Sequence, residues 1–285
     1  MRRFAALCAA LFGALESSEA FAPSALPTHN NNQIASSTST SSLFGHPTGG
    51  SAGGGGGGTA TVEATGFIDT ELRGAAMRLH TFSQAPREGR VQEAERKPYT
   101  PTREDYLHFL VDSQHVYRAF EEVMHTQPEL EPFCDTGLER ADALEDDITY
   151  MMREYGMERP EVGSVGREYA EEIRNMAKDG RVPELICHYY NHYFAHTAGG
   201  LMIGKKMSSL LFDDKILQFY KWKGGDGEVI EGRKPVQLLD PVRAAIEDMA
   251  AEWSAEEKAR CVDETANTFK YGGALTGYLN GQAAN

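Results

Sequence analysis

Apolar residues recur at helical spacing from Thr65 to the end of the chain, and no segment shows a convincing strand alternation. This periodicity predicts amphipathic helices, because residues three or four positions apart fall on the same helix face. A first helix is expected to end near Thr81 and a second to begin at Thr102. Further helices are predicted at residues 141–155, 166–178, 182–212 and 241–253. We therefore predict an all-α fold, a single compact helical domain over residues 65–281.

Two of the predicted helices have recognisable starts. Asp240 is a suitable cap for the segment 241–253, with Pro241 in a first turn where its missing N–H costs nothing. Ser254 and Glu257 have the spacing of a capping box, in which each side chain accepts a backbone N–H of the other end of the turn. That box predicts a last helix.

The first 64 residues differ in composition from the rest of the chain. Residues 1–20 combine Arg2, Arg3 and a short apolar core, which is typical of a signal peptide. No Asp, Glu, Lys or Arg occurs between residues 21 and 60, and a glycine run behaves as a linker. The junction at Phe21 resembles the bipartite plastid presequences of algae with complex plastids, so residues 21–64 are assigned to a transit peptide and linker. Simple secretion is the alternative.

Cysteine usage bears on the cellular compartment of the protein, and net charge bears on the class of its ligand. Outside the signal, Cys134, Cys187 and Cys261 form an odd set without close pairs, which fits a reducing plastid stroma better than secretion. The formal net charge of −14 argues against a nucleic-acid binder, which would need a basic face. No stable membrane insertion is expected, because the apolar core of the signal is too short to span a bilayer.

Histidines invite a metal interpretation that the sequence leaves open. His188, His192 and His196 lie at i, i+4 and i+8 on one helix face. They are either ligands or ordinary helix histidines with satisfied ring nitrogens. The unit from Glu122 to His125 matches the Glu-x-x-His of di-iron bundles, but a second such unit is missing.

Two glycine pairs interrupt the predicted helices. Gly199 and Gly200 follow the three histidines, and the tail "KYGGALTGYL" of the last helix contains a second Gly-Gly pair. An interior glycine costs about 0.5–1 kcal/mol relative to alanine, so the pair at Gly199 and Gly200 is either a helix break or a place where a ligand must touch bare backbone. His80, near the end of the first helix, could present a ring nitrogen to a flat iron macrocycle that bare backbone would cover.

Several blocks resemble the plastid, ferredoxin-dependent heme oxygenases, in family order and over most of residues 66–279. The blocks are "MRLHT", "YLHFLVDSQHVYRAFE", "TGLER", "ICHYYNHYFAHTAGGLMIGKK", "FYKW" and "AAEWSAEEKARC". The resemblance implies heme between a proximal helix bearing His80 as the axial ligand and a distal helix kinked at Gly199 and Gly200. It implies that heme is cofactor and substrate, cleaved with O₂ and electrons from reduced ferredoxin to biliverdin IXα, CO and ferrous iron.

The resemblance also implies partners and an alternative. Ferredoxin is the expected donor, the plastid stroma the expected location, and a bilin reductase that makes light-absorbing chromophores a downstream partner. The alternative is a non-catalytic relative that binds heme or another tetrapyrrole. Retention of His80 favours the enzyme, because loss of the proximal histidine usually separates the two.

The remaining site residues also come from the resemblance. Arg73 and Tyr190 match propionate-binding positions, Arg243 is a candidate second propionate partner, and Phe269 is expected to line the pocket. Each could instead be an ordinary surface or core residue. The family pattern Gly-Asp-x-Ser-Gly-Gly reads Ala-His-Thr-Ala-Gly-Gly here, with His196 replacing the aspartate that positions water. A histidine there is expected to make the step pH-sensitive near neutrality.

An acidic ferredoxin needs a basic patch on an acidic protein. Lys205 and Lys206 follow the distal glycines by about one turn, and Lys215, Lys221 and Lys223 come soon after. These lysines are a candidate docking surface. The alternative is a solvated cluster that only aids solubility.

Overall fold

The computed structural model describes residues 66–81, 89–92 and 98–282. The expected signal peptide, transit peptide and linker lie outside the described residues. Within them, eight α-helices are present: α1 (Arg73–Leu79), α2 (Arg103–Met124), α3 (Ala141–Tyr155), α4 (Ser164–Lys178), α5 (Val182–Ala195), α6 (Leu201–Leu211), α7 (Val236–Ala251) and α8 (Ala255–Leu275). The prediction of a helical fold is confirmed.

Short elements complete the chain between these helices. Two π-helical turns cover Ile68–Leu72 and His196–Gly200. Three short 3-10 helices cover Pro128–Phe133, Gln218–Tyr220 and Thr276–Asn280.

Capping boxes fix the starts of two long helices. The Thr102 side chain accepts the Asp105 N–H at the head of α2, and the Asp105 carboxylate accepts the Thr102 N–H in return. Ser254 and Glu257 make the same reciprocal pair at the head of α8, as the sequence predicts. Each pair satisfies two N–H groups that have no partner inside the helix.

The predicted start of α7 is wrong. The helix begins at Val236, and Pro241 lies inside it instead of in its first turn. Leu239, Val242 and Ile246 are all buried on one stripe, so helical burial extends across the proline. Core packing therefore overrides a residue that removes one helical hydrogen bond.

A small antiparallel hairpin was missed by the helical interpretation. Strand β1 (Lys221–Lys223) pairs with β2 (Val229–Glu231), with Trp222 opposite Ile230. Both of these central side chains are buried. Three residues per strand are too few for an alternating pattern to be recognised.

The core is built from two groups of packed helices, one around α2 and one around α8. Helix α2 packs against α3 and α4, and α5 packs against α8, which also contacts α1. Buried aromatic residues of α2 and α5 join the two halves, with Tyr117 and Phe120 each in ring contact with Tyr193. No helix among the described residues is long and apolar enough to cross a membrane.

The segment predicted as one helix over 182–212 continues as helix through the glycine pair and ends at Leu211. Gly200 has φ −57° and ψ −38°, and Leu201 continues directly into α6. The glycine pair therefore belongs to a widened turn between α5 and α6 and does not end the helix. Such π-turns inside α-helices are frequent at functional sites.

Candidate functional site

A cavity of about 440 Å³ is bounded by α1, the α5–α6 segment, α8 and the turn Gln218–Tyr220. This volume is typical of a small-molecule site. The structure brings together all eight residues singled out from the sequence on its wall: Arg73, His80, Tyr190, His196, Gly199, Gly200, Arg243 and Phe269. Their placement supports a common site and leaves each individual role as a prediction.

His80 stands where α1 ends. Its backbone is extended, with φ −71° and ψ 145°, so it is the first residue that is no longer helical. The ring Nδ1 lies 2.8 Å from the carbonyl oxygen of Ala76. A carbonyl only accepts, so Nδ1 carries the proton and the lone pair of the neutral ring is on Nε2. The Phe269 ring meets the imidazole edge-on at 5.0 Å and limits its rotation.

His196 opens the π-turn and is held on two sides. Its Nε2 lies 2.9 Å from the carbonyl oxygen of Phe219, and the two rings stack with centroids 4.0 Å apart. Because the carbonyl accepts, Nε2 carries the proton and Nδ1 keeps its lone pair. A Cβ at Gly200 would stand 2.9 Å from that Nδ1, so glycine leaves room for the ring.

Burial decides the charge of His196. Loss of hydration lowers its pKa from 6.5 to about 3, although the bond to Phe219 acts in the opposite direction. The ring is therefore a neutral hydrogen-bond acceptor at Nδ1 across the physiological range. The expectation that the pKa of this ring makes the step pH-sensitive near neutrality is wrong, since the sequence could not reveal how completely the ring is enclosed.

The other two histidines of the stripe have different partners. His188 is bridged between the Tyr169 hydroxyl at 3.0 Å and the Glu264 carboxylate at 2.9 Å. His192 packs against the Tyr117 ring at 4.6 Å, and burial lowers its pKa to about 3. Its buried Nε2 has no hydrogen-bond partner within the described part of the chain.

A metal cluster is not formed by these side chains. Across residues 66–81, 89–92 and 98–282, no group of three His, Cys, Asp or Glu side chains is arranged to hold an ion. Glu122 of the Glu-x-x-His unit pairs instead with Arg174 on the surface, at 2.8 Å. The di-iron interpretation therefore has no structural support in this region.

Cationic groups contribute to the cavity wall. Arg73, Lys234 and Arg243 line it, and all three side chains are at least partly exposed. Arg243 also reaches the Asp69 carboxylate, with 2.5 Å between Nη2 and Oδ2. Tyr190 lies among them, and burial raises the pKa of its hydroxyl, which therefore stays a donor. These groups suit a ligand with carboxylates at one edge.

Sequence reasoning missed part of the wall. Gly272 and Gly273 of α8 border the cavity together with Tyr117, and a Cβ at Gly272 would meet no atom within 4 Å. The second glycine pair in the tail of the last helix was the available signal. Tyr117 could not be found this way, because an aromatic residue at helical spacing is indistinguishable from core.

Comparison with known proteins gives a consistent result. A family model described as heme oxygenase matches residues 70–275. Heme oxygenase 1, chloroplastic, of Arabidopsis thaliana is 42% identical over 220 residues, covering 75% of this chain and 73% of the relative. A second Arabidopsis relative, named "probable inactive heme oxygenase 2, chloroplastic", is 31% identical and covers 64% of this chain and 58% of its own length.

A solved structure is also similar. It is heme oxygenase-1 from the cyanobacterium Synechocystis in complex with heme, with a TM-score of 0.49 and 22% identity. The alignment covers 77% of this chain and 85% of the other.

The neutral state of His196 is directly measurable. With a folded-state pKa of about 3 against 6.5, its contribution to stability is complete above pH 6.5 and is lost as the pH falls toward 3. In the ¹⁵N-histidine-labelled chain, two-bond ¹H–¹⁵N spectra should show His196 as a neutral ring from pH 5 to 8 and as the Nε2–H tautomer at pH 7 to 8. Denaturing the chain in urea provides the control, since the signal should then titrate near its ordinary value. Double protonation of the folded-state ring with a midpoint between pH 6 and 7 would contradict the assignment.

Proposed function

This chain belongs to the heme oxygenase family, and we propose that its cavity holds heme as both cofactor and substrate and that the protein cleaves the ring to biliverdin IXα, CO and ferrous iron. The observation that carries the proposal is the combination of His80 with the glycine-lined walls. One wall presents an imidazole whose lone pair is fixed on Nε2. Gly199 and Gly272 also line the cavity, and a Cβ at Gly272 would meet no atom within 4 Å.

The residues present fit a flat iron macrocycle. A porphyrin needs apolar contact on its faces, and aromatic side chains make up much of the lining, including Phe109, Phe219 and Phe269. Its iron needs one imidazole nitrogen with a lone pair, which Nε2 of His80 would supply because Nδ1 donates to Ala76. Its two carboxylates need donors at one edge, which the cationic groups of the cavity wall provide. When bound, heme supplies the iron at which O₂ is reduced and the ring carbon that is oxidised.

The chain's own residues have separable roles in this proposal. His80 holds the iron, and the hydrogen bond from Nδ1 to Ala76 raises the basicity of the ligating nitrogen. Neutral His196 accepts a hydrogen bond at Nδ1 and can orient a water molecule beside Gly200. The pKa of about 3 means that it does so without becoming charged between pH 5 and 8. Enclosure by aromatic rings excludes bulk water from the same place.

Binding of the ring edge involves a competition. Arg73, Tyr190 and Arg243 are proposed to hold the propionates. Arg243 already pairs with the partly exposed Asp69, so a propionate must share or displace that carboxylate. An exposed ion pair is worth about 1 kcal/mol or less, so the exchange costs little.

A non-catalytic, tetrapyrrole-binding paralogue remains the second candidate. One of the relatives is named inactive, but it is 31% identical against 42% for the chloroplastic heme oxygenase 1. His80 and the glycine pairs support the enzyme.

We further propose a plastid location, since the relatives carry chloroplastic names. The stroma and the bipartite presequence at residues 1–64 are finer parts of this proposal. A fluorescent fusion to residues 1–64 should enter the plastid, whereas a fusion lacking Phe21 should stop earlier on the route.

Hemin titration with the native chain and His80→Ala tests the proposed function. The native chain should develop a Soret band that bleaches to biliverdin when ferredoxin, its reductase and NADPH are added. His80→Ala should lose the axial signature and turnover, because no nitrogen then faces the iron, and added imidazole should restore part of both. His125→Ala, on the exposed surface, is the matched control and should behave as the native chain. Normal turnover in His80→Ala without imidazole would refute the proposal, and a stable Soret band that never bleaches in the native chain would favour the non-catalytic paralogue.

Ferredoxin is the proposed electron donor, and α6 is its proposed docking face. Lys205 is exposed and Lys206 half-buried, and both follow Ile203, which lines the cavity. Lys221 is less available, since it pairs with Glu231 at 3.1 Å. Lys215 lies over the Tyr150 ring at 3.3 Å. The short path from α6 to the cavity favours electron entry there.

Reversal of charge on α6 should slow ferredoxin-driven turnover selectively. Lys205→Glu with Lys206→Glu should lower kcat/KM for ferredoxin about tenfold at low salt, since steering by opposite charges contributes that much or more. Hemin affinity and turnover with a small chemical reductant should stay unchanged. The control is Lys178→Glu with Lys258→Glu, which changes the same charge outside the cavity lining. Equal loss with both reductants would assign the lysines to the pocket, and no loss would place docking elsewhere.

A further inference from the structure

Asp147 of α3 is buried to 2% exposure and binds the turn that holds His196. Its Oδ1 accepts the N–H of Gln218 at 2.8 Å, and its Oδ2 accepts the N–H of Phe219 at 2.7 Å. Two charge-assisted bonds to neighbouring backbone groups fix both the position and the orientation of this turn.

The turn passes this constraint on to the cavity. The same Phe219 whose N–H is held by Asp147 offers its carbonyl oxygen to His196 Nε2 at 2.9 Å, and its ring stacks on the imidazole. Phe219 alone therefore links the carboxylate to the histidine, because its N–H binds Asp147 and its carbonyl oxygen binds His196. Displacing the turn would remove both the acceptor and the stacking partner of His196.

We propose that Asp147 is a positioning residue that sets the tautomer and orientation of His196 through the Gln218–Tyr220 turn. Asp147 lies outside the cavity lining and is not itself catalytic. With the turn in place, the proton of His196 stays on Nε2 and the acceptor lone pair stays on Nδ1. Without it, the imidazole can rotate or exchange tautomers, and the acceptor beside Gly200 is lost.

Keeping Asp147 ionised in its buried position costs free energy. Burial raises its pKa from 3.8 to about 6, and the bonds from Phe219 and Gln218 offset only part of that effect. Asp146 on the same helix adds to the rise, whereas Lys221 of β1 opposes it. Two further groups face it, the Tyr220 hydroxyl of the turn and the Tyr106 hydroxyl of α2, which share a 3.0 Å hydrogen bond. An ionised carboxylate satisfies the two neighbouring N–H donors of the turn, one on each oxygen.

Asp147→Asn tests this role, and Asp146→Asn is its matched control. Both remove one carboxylate from adjacent positions, but Asp146 is exposed and makes no bond to the turn. An asparagine at position 147 keeps one acceptor oxygen and points an NH₂ group at the second backbone donor. In the ¹⁵N-histidine-labelled, heme-free chain, the ring ¹⁵N chemical shifts of His196 in Asp147→Asn should depart from those of the pure Nε2–H tautomer. Asp146→Asn should leave them unchanged.

Turnover gives a second readout that rests on the proposed function. Asp147→Asn should lower kcat about tenfold, the usual effect of losing a group that orients a functional histidine, with KM for hemin within about twofold. The spectrum needs no heme, so a failure of the proposed function would leave it intact. An unchanged His196 spectrum in folded Asp147→Asn would overturn the inference, even if stability and kcat both fell.

If Asp147→Asn fails to fold, a pH titration of the native chain tests the inference instead. As the pH falls through about 6, protonation of Asp147 should move the amide signals of Gln218 and Phe219, and the His196 ring should leave the pure Nε2–H tautomer with the same midpoint while it stays neutral. Amide signals that move while His196 stays fixed would overturn the inference, because the turn would then not control the ring.

Discussion

The structure depends on helices that leave their backbone bare where they enclose the cavity. Gly199 and Gly200 lie in the widened turn between α5 and α6, and Gly272 and Gly273 lie in α8. Each interior glycine costs about 1 kcal/mol relative to alanine, so four of them are a substantial fraction of the marginal stability of a domain. The dense aromatic packing of α2 against α4 and α5 offsets that cost.

A second constraint is the absence of charge on His192 and His196 in the cavity wall. Burial keeps His192 and His196 neutral, with pKa values of about 3. Neutral rings can accept hydrogen bonds, and their orientation is then set by what the other ring nitrogen donates to. His80 donates to Ala76 and His196 to Phe219, so backbone carbonyls define the tautomers of these two rings. The site is thus organised by main-chain groups held in place by distant packing.

Much of this fold and site could be predicted from local signals. Helical spacing located the helices, the Ser254–Glu257 box fixed the start of α8, and the motifs around His80 and Gly200 led to residues that share one cavity. Three features were out of reach because they depend on tertiary contacts. The start of α7 follows a buried stripe that continues through Pro241. The pKa of His196 follows complete enclosure, and the role of Asp147 requires the meeting of α3 with a turn 71 residues away.

The central claim is that bare helix backbone keeps the cavity open for a flat ring at the expense of folding stability, and Gly272→Ala tests it most directly. A Cβ there would meet no atom within 4 Å, so the heme-free variant should gain about 0.5–1 kcal/mol in urea unfolding from improved helix propensity. The same methyl should weaken hemin binding about tenfold, because it occupies space that the ring needs. Gly225→Ala, at another position where a Cβ meets nothing within 4 Å, should leave hemin affinity unchanged. Hemin titration of a stabilised Gly272→Ala that binds as tightly as the native chain would contradict the account.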